Sequence, residues 1–279
     1  MTKSVIKIFL FIGIIYLALF IKKSLNKSTN FISIVNVGQG DGIYIHTEQA
    51  NILIDGGANY DIENYLNSKN NFPFCEIDML FLTHPHLDHL LGLDRVLKRC
   101  RVGSVVFSHV QYNSKLYNDF VLKITQGIKE KKYRVVQPQS PNTFKFGFLT
   151  IIVLYPNKDS IFDKKDVNDV STALLIDYKD FEALLTGDLP AERFDEFDLS
   201  LINKYVQNRI DLFKVSHHGS NDALNKDFLM ELRPKYCALS VGVANKYNHP
   251  HKEVLEFLNH INCKVIRTDF DNNIEIKMP

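Results

Sequence analysis

The six residues His84-Pro85-His86-Leu87-Asp88-His89 constrain this chain more than any others. Four metal-competent side chains follow directly on an apolar run, residues 79–83. Imidazoles at i and i+2 in a loop at a strand end turn toward one point. The carboxylate and imidazole at i+4 and i+5 face a second point nearby. That arrangement suits two divalent cations a few ångströms apart, the geometry that activates a shared hydroxide. A His-rich surface loop would leave two other features unexplained. Asp188 in Leu184-Leu185-Thr186-Gly187-Asp188 and His217-His218 in Lys214-Val215-Ser216-His217-His218-Gly219-Ser220 also follow apolar runs. Sites in layered αβ folds collect at such strand ends, so the three segments are assigned to one metal site.

The surrounding pattern agrees with a layered fold. Short β-branched runs at residues 31–37, 42–47 and 51–55 predict strands, the first two divided by the turn Gly38-Gln39-Gly40-Asp41-Gly42. Further strands are predicted at 79–83, 104–108, 148–154, 172–178 and 181–186. Lys179-Asp180 joins the last two as a hairpin. Helical spacing marks 90–100 and 115–131, and a third helix is predicted over 191–208 after Pro190. The final third alternates: strand 211–216, helix 226–232, strand 236–241, helix 252–259, strands 264–268 and 273–277. Two sheets with helices outside, in one domain over residues 31–279, is the packing this predicts.

Residues 8–21 (IFLFIGIIYLALFI) are apolar throughout. Extended back to Val5 past a snorkelling Lys7, the run rises about 25 Å as a helix, a little short of a hydrocarbon core of about 30 Å. Lysines flank it and no small-residue cleavage site follows, so residues 1–30 are expected to be a retained signal anchor and linker. The overall charge is +1, yet residues 1–30 hold five lysines and no acid, which leaves a net −4 on the rest. A body of that charge does not hold nucleic acid by bulk electrostatics and needs a local groove or bound metal. Cys75, Cys100, Cys237 and Cys263 lie far apart with no C-x-x-C pair. They read as four separate thiols, with two disulfides an open alternative.

His84-x-His86-x-Asp88-His89, Thr186-Gly187-Asp188 and His217-His218-Gly219 together resemble the metallo-β-lactamase superfamily. More narrowly, the order Val37-Gly38-Gln39-Gly40-Asp41, Leu53-Ile54-Asp55-Gly56-Gly57, Thr83-His84-Pro85, Leu185-Thr186-Gly187-Asp188, Lys214-Val215-Ser216-His217-His218-Gly219-Ser220 and Asn248-His249-Pro250-His251 is similar to the C-terminal hydrolase domain of ComEC-type competence proteins, which serve DNA uptake. The resemblance implies an α/β fold, a four-layer αββα sandwich with a binuclear site on its edge. It implies His84 and His86 on one metal, Asp88 and His89 on the other, and Asp188 as bridge. One of His217 and His218 completes the second site; His218 is favoured as the ligand and His217 as a contact to the substrate oxyanion. Asp55 resembles the family's bracing carboxylate, and Asp41 has a similar supporting role.

One departure stands out. The superfamily's third His between the first cluster and the Asp is replaced here by Leu154-Tyr155-Pro156, with Asn168 and Ser171 downstream. His109 is a weaker candidate for that place. Zinc fits the imidazoles, whereas manganese fits a water-rich, carboxylate-bridged site. His249 and His251 follow a buried strand on the same edge as the ligands, and a loop His there is suited to protonate a leaving oxygen. His46 and His260 are expected to be solvated.

The resemblance thus implies a binuclear metal-dependent hydrolase, a phosphodiesterase or nuclease using a metal-bridging hydroxide, with Asp88, His217 and His249 as catalytic residues. Its expected partners are a phosphodiester, DNA among the candidates, and a membrane through the N-terminal helix. No nucleotide cofactor is expected. Lactone or β-lactam hydrolysis by the same fold is the alternative, and a non-catalytic membrane-anchored envelope protein that binds metal is the second. Lysines on both sides of the apolar run nearly balance; the resemblance tips the expected orientation toward an extracytoplasmic catalytic domain on a single-pass anchor.

Overall fold

Strands in which every residue is buried, such as Leu149–Tyr155, need cover on both faces. Two packed sheets with helices outside supply it. The computed structural model describes residues 30–69, 75–160 and 166–279. The expected anchor lies outside the described residues, and among those described no helix is long and apolar enough to cross a membrane.

The first half runs β1 (Phe31–Ile34), β2 (Ile43–His46), β3 (Asn51–Ile54), α1 (Asp61–Lys69), β4 (Glu76–Leu82), α2 (Leu87–Leu90), α3 (Leu93–Arg99), β5 (Arg101–Phe107), α4 (Lys115–Lys129) and β6 (Arg134–Val136). There follow β7 (Thr143–Phe146), β8 (Leu149–Tyr155), β9 (Ala173–Tyr178), β10 (Phe181–Leu185), α5 (Leu199–Tyr205), β11 (Leu212–Lys214) and α6 (Lys226–Leu232). The chain ends with β12 (Tyr236–Leu239), α7 (Lys252–His260), β13 (Lys264–Arg267), α8 (Thr268–Asp271) and β14 (Ile274–Lys277). The strands form two seven-stranded sheets, ordered β14-β1-β2-β3-β4-β5-β6 and β13-β12-β11-β10-β9-β8-β7. Strands β3 to β6 run parallel in one, and β10 to β13 run parallel in the other.

Alternation along the strands divides the core. Ile32, Ile34, Ile45 and Ile52 pack against Ile151, Leu174 and Ile176 between the sheets. Leu53, Leu80 and Val105 face the other way, against Ile62 of α1, Val96 of α3 and Phe120 of α4. Leu184, Phe213 and Leu239 do the same against Ile202 of α5, Leu229 of α6 and Leu258 of α7. This is the expected αββα sandwich.

Several elements differ from the sequence pattern. The helix expected over 191–208 is a 3-10 segment, Ala191–Glu196, followed by α5. Phe197 breaks it by turning into the core, and the Asp198 carboxylate restarts it by accepting the Ser200 and Leu201 N–H groups. The helix expected over 90–100 starts earlier and divides at Gly92, which lies so close to the segment after β3 that a Cβ there would sit 1.9 Å from the Gly56 carbonyl oxygen. Helix α1 and strands β6 and β7 were not expected, since α1 is a mostly polar stretch and β6 and β7 are only 3 and 4 residues long.

The cysteine reading is overturned. Cys75 pairs with Cys100, and Cys237 with Cys263, leaving no free thiol. Sequence separations of 25 and 26 residues hide the pairing, because adjacency comes from neighbouring parallel strands. Cys75 precedes β4 and Cys100 precedes β5; Cys237 lies in β12 and Cys263 precedes β13. A non-reducing peptide map of the purified protein should contain these two cross-links and no others. Reduction should lower the unfolding free energy by ~2–4 kcal/mol per bond, read from urea transitions with and without dithiothreitol.

Candidate metal centre

The ends of the parallel strands in both sheets point the same way, and the predicted residues stand there. Asp55 follows β3, His84 to His89 follow β4, Asp188 follows β10, and His217 and His218 follow β11. Ligands in open αβ sheets collect at carboxyl ends of strands, and here two sheets contribute to one such edge.

A single atom organises the cluster. Asp188 Oδ2 lies 3.2 Å from His89 Nε2, 3.4 Å from His218 Nε2 and 3.9 Å from both His84 Nε2 and His217 Nε2. His218 Nε2 is also 3.5 Å from Asp88 Oδ2. Ligand atoms of Asp88, His89, Asp188 and His218 all lie within 4.8 Å of one another. Beside them, His84 Nε2 and His86 Nδ1 are 3.1 Å apart. His86 caps the short α2 with extended backbone, so the chain turns between the two groups of ligands.

The surrounding hydrogen bonds decide which nitrogen each ring presents. Asp55, buried and with φ 58°, accepts from Thr83 N at 2.8 Å and Thr83 Oγ1 at 2.7 Å, and lies 2.7 Å from His89 Nδ1. His218 Nδ1 lies 2.9 Å from the Ser240 carbonyl, which only accepts, so the proton sits on Nδ1. In both rings Nε2 is left for the site. His217, His218 and Gly219 all have positive φ, of 45°, 54° and 82°. Ser216 Oγ donates to the Leu189 carbonyl at 2.5 Å and ties this strained turn to the Asp188 loop.

The cluster fits divalent cations. His89 Nε2, His218 Nε2 and Asp188 Oδ1 are buried without a hydrogen-bond partner. Burial opposes charge on Asp188, yet His218 and His89 hold its carboxyl well below the usual range. Burial likewise opposes protonation of His89 and His218, but the carboxylates around them, Asp188 first, pull both well above the imidazole range. These carboxylates demand positive charge at the two Nε2 positions, and a cation answers that demand by displacing the protons. His84, by contrast, is driven well below the imidazole range by burial and by His89. It is neutral and free to donate its lone pair.

Other expected residues separate. His217 is part-exposed, with Nδ1 3.2 Å from Asp222 Oδ1. Together with Asp88, Asp188, His86, His218 and His249 it lines a cavity of about 330 Å³. Burial, then the neighbouring imidazoles, push His249 down to about 4. It is therefore neutral at neutral pH, suited to one N–H hydrogen bond rather than to delivering a proton. His251 caps α7 outside the cavity, its Nε2 3.3 Å from the Tyr247 carbonyl. His109 is exposed, its ring edge-on to Phe107 and its backbone N–H donating to Gln137 Oε1 at 3.3 Å. Asn168 Oδ1 and Ser171 Oγ are buried and unpartnered, on the segment whose Thr172 N–H donates to the Thr83 carbonyl. His46 is half-buried, its Nδ1 2.7 Å from Asn51 Oδ1, whereas His260 is exposed at the end of α7.

Sequence reasoning assigned no role to Lys214, which is fully buried and 2.7 Å from Asp41 Oδ2. Asp41 Oδ1 is in turn 3.4 Å from His218 Nδ1. The pair joins the Gly-rich turn of one sheet to β11 of the other, directly behind His218. A lysine inside an apolar strand was the available signal, since such residues are almost never fully buried unless paired. Lys214→Met should cost ~3–5 kcal/mol by stranding a buried carboxylate. Adding Asp41→Asn to that variant should cost less than the two single changes together, checked by urea denaturation of all three.

Residues 35–140 match the metallo-beta-lactamase superfamily. The chain is 27% identical over 264 residues to ComE operon protein 3 of Bacillus subtilis (strain 168), covering 88% of this chain and 33% of that protein. It is 26% identical over 263 residues to Recombination protein 2 of Haemophilus influenzae (strain ATCC 51907 / DSM 11121 / KW20 / Rd), covering 91% of this chain and 29% of that one. It thus spans roughly a third of the length of these relatives. Among solved structures, CmlA, a diiron beta-hydroxylase from Streptomyces venezuelae, aligns with a TM-score of 0.57 at 15% identity, over 90% of this chain and 54% of that one, a likeness of fold alone. The chain has the metallo-beta-lactamase fold, and its sequence resembles the ComEC-type competence proteins.

Proposed function

We propose that this protein is a binuclear, metal-dependent phosphodiesterase acting on DNA, its catalytic domain (residues 31–279) tethered by residues 1–30 to the outer face of a membrane. The observation that carries this reading is the convergence of four imidazole nitrogens within 3.9 Å of Asp188 Oδ2. His84 and His86 would hold one divalent ion and Asp88, His89 and His218 the other, with Asp188 placed to contribute to both. Zinc suits the imidazoles and manganese the carboxylates. When bound, such a pair supplies Lewis acidity and a water acidic enough to attack at neutral pH.

The chain's own groups then divide the work. Asp88 faces the cavity and orients the attacking water, accepting its proton. His217, braced by Asp222, turns Nε2 toward the cavity and donates to a non-bridging phosphate oxygen as charge builds there. His249, neutral, donates an N–H hydrogen bond to the leaving oxygen and orients it, and the proton that Asp88 took from the water passes to that oxygen as the P–O bond breaks. DNA as substrate is supported by the name of one relative, a recombination protein, and by the resemblance to competence proteins. An outward-facing domain is supported by the two disulfides, which form and persist in oxidising compartments.

Elemental analysis of the protein loaded with Mn²⁺ or Zn²⁺ should find about two ions per chain; no stoichiometric metal ends this reading. Asp88→Asn should lower hydrolysis of single-stranded DNA and of bis-p-nitrophenyl phosphate by about 10²–10⁴-fold, while His109→Ala stays near wild type. A lactone tested beside them should be spared. Protease added to intact cells should digest the domain; protection until the membrane is opened places it in the cytoplasm.

A further inference from the structure

The walls of the catalytic cavity differ in kind from its floor. Its floor is imidazole and carboxylate, but Tyr112 and Tyr247 also line it, with Leu87 and Gln39. The two tyrosines stand against different histidines of the floor. Tyr112, in the loop between β5 and α4, meets His86 with ring centroids 5.7 Å apart. Tyr247, in the loop between β12 and α7, stacks on His249 at 5.6 Å and 24°, and His249 is in turn 5.9 Å from His217. A phosphorus placed over Asp88 and Asp188 therefore has one tyrosine on the His86 side and the other on the His249 side.

Both rings are held in place. Tyr112 leans on Tyr117 at 6.2 Å, and that buried ring is fixed by donating its hydroxyl to the Ser108 carbonyl. The Tyr247 loop is closed on itself by Asn245. Its Nδ2 donates to the Gly242 and His249 carbonyls, and its Oδ1 accepts from the Tyr247 and His249 N–H groups. Tyr247 nonetheless keeps 50% of its surface exposed, and Leu87 keeps 55%. Apolar surface left in the open beside a charged floor implies a ligand with both characters. Among the described residues no Lys or Arg lines this cavity itself, and a cation stands beside its rim, the Lys246 ammonium 4.9 Å from the Tyr247 ring centroid.

We propose that Tyr112 and Tyr247 form a two-sided stacking clamp for the nucleobases flanking the bound phosphodiester, which makes single-stranded nucleic acid the substrate class of this site. The proposal rests on the phosphodiesterase reading. A phosphodiester in a strand carries one nucleoside on each side, matching one ring on each side. Base faces are available for aromatic stacking only when they are not already stacked in a duplex. Stacking is indifferent to base identity, so the clamp selects strandedness rather than sequence.

The test measures binding apart from cleavage. A fluorescein-labelled, phosphorothioate-linked octathymidylate, which resists hydrolysis, is titrated against the full metal-loaded chain and read by anisotropy. The comparison ligand is an octamer of abasic phosphorothioates carrying the same charge. Tyr112→Ala and Tyr247→Ala should each weaken binding of octathymidylate by about 5–150-fold, with Phe at either position restoring it. Neither change should alter metal content or binding of the abasic octamer, and the duplex form should bind worse than the single strand. Wild-type affinity in both Ala variants, equal losses on the abasic octamer, or a preference for duplex overturns the clamp. If tyrosine-dependent binding holds but the unmodified oligonucleotide is never cleaved, the clamp stands and the phosphodiesterase reading falls.

Discussion

Four carboxylates, Asp41, Asp55, Asp88 and Asp188, meet where the strand ends of the two sheets come together, and three of them are buried. Like charges this close in a poorly solvated setting repel strongly, and the arrangement exists only because positive charge is threaded between them. Lys214 holds Asp41. His89 lies between Asp55 and Asp188, and His218 between Asp41 and Asp188. Charge balance thus links the outermost support to the innermost ligand. It also accounts for the unpartnered Nε2 atoms, where a divalent cation could take the place of a proton.

Backbone geometry serves the same end. Asp55, His217 and His218 all take left-handed conformations that side chains avoid. Each is held there by bonds that cross between segments: Thr83 onto Asp55, His218 Nδ1 onto the Ser240 carbonyl, and the His217 N–H onto the Gly187 carbonyl. Strain of this sort costs on the order of 1–3 kcal/mol per residue. The surrounding sheets are rigid enough to impose it, because their strands are apolar and buried on both faces.

The rim works by a different principle. In the proposed reading, polar groups at the floor would fix where a phosphorus sits, while ring faces at the walls are indifferent to sequence and offer only area. A body with a net charge of −4 outside its first thirty residues does not attract polyanions at long range. Affinity then comes from contacts made after encounter.

Much of the site is legible in the amino-acid sequence, for a physical reason. Metal chemistry needs particular side chains, and loops at strand ends hold them in short, dense groups, so His84, His86, Asp88, His89, Asp188 and His218 announce themselves by residue type and by the apolar runs preceding them. The same apolar runs fix the sheet-forming segments and hence the layered fold. What leaves no local trace is anything made of two distant segments. The Lys214–Asp41 pair spans both sheets. The two disulfides join residues brought together only by parallel pairing, and Tyr112 and Tyr247 face one cavity from loops of different sheets. Sequence alone determined which metal-competent side chains this protein brings to its strand ends. Tertiary packing decided which nitrogen each histidine presents, which thiols meet and what walls the cavity has, because those depend on distances between segments that only the folded sheets set.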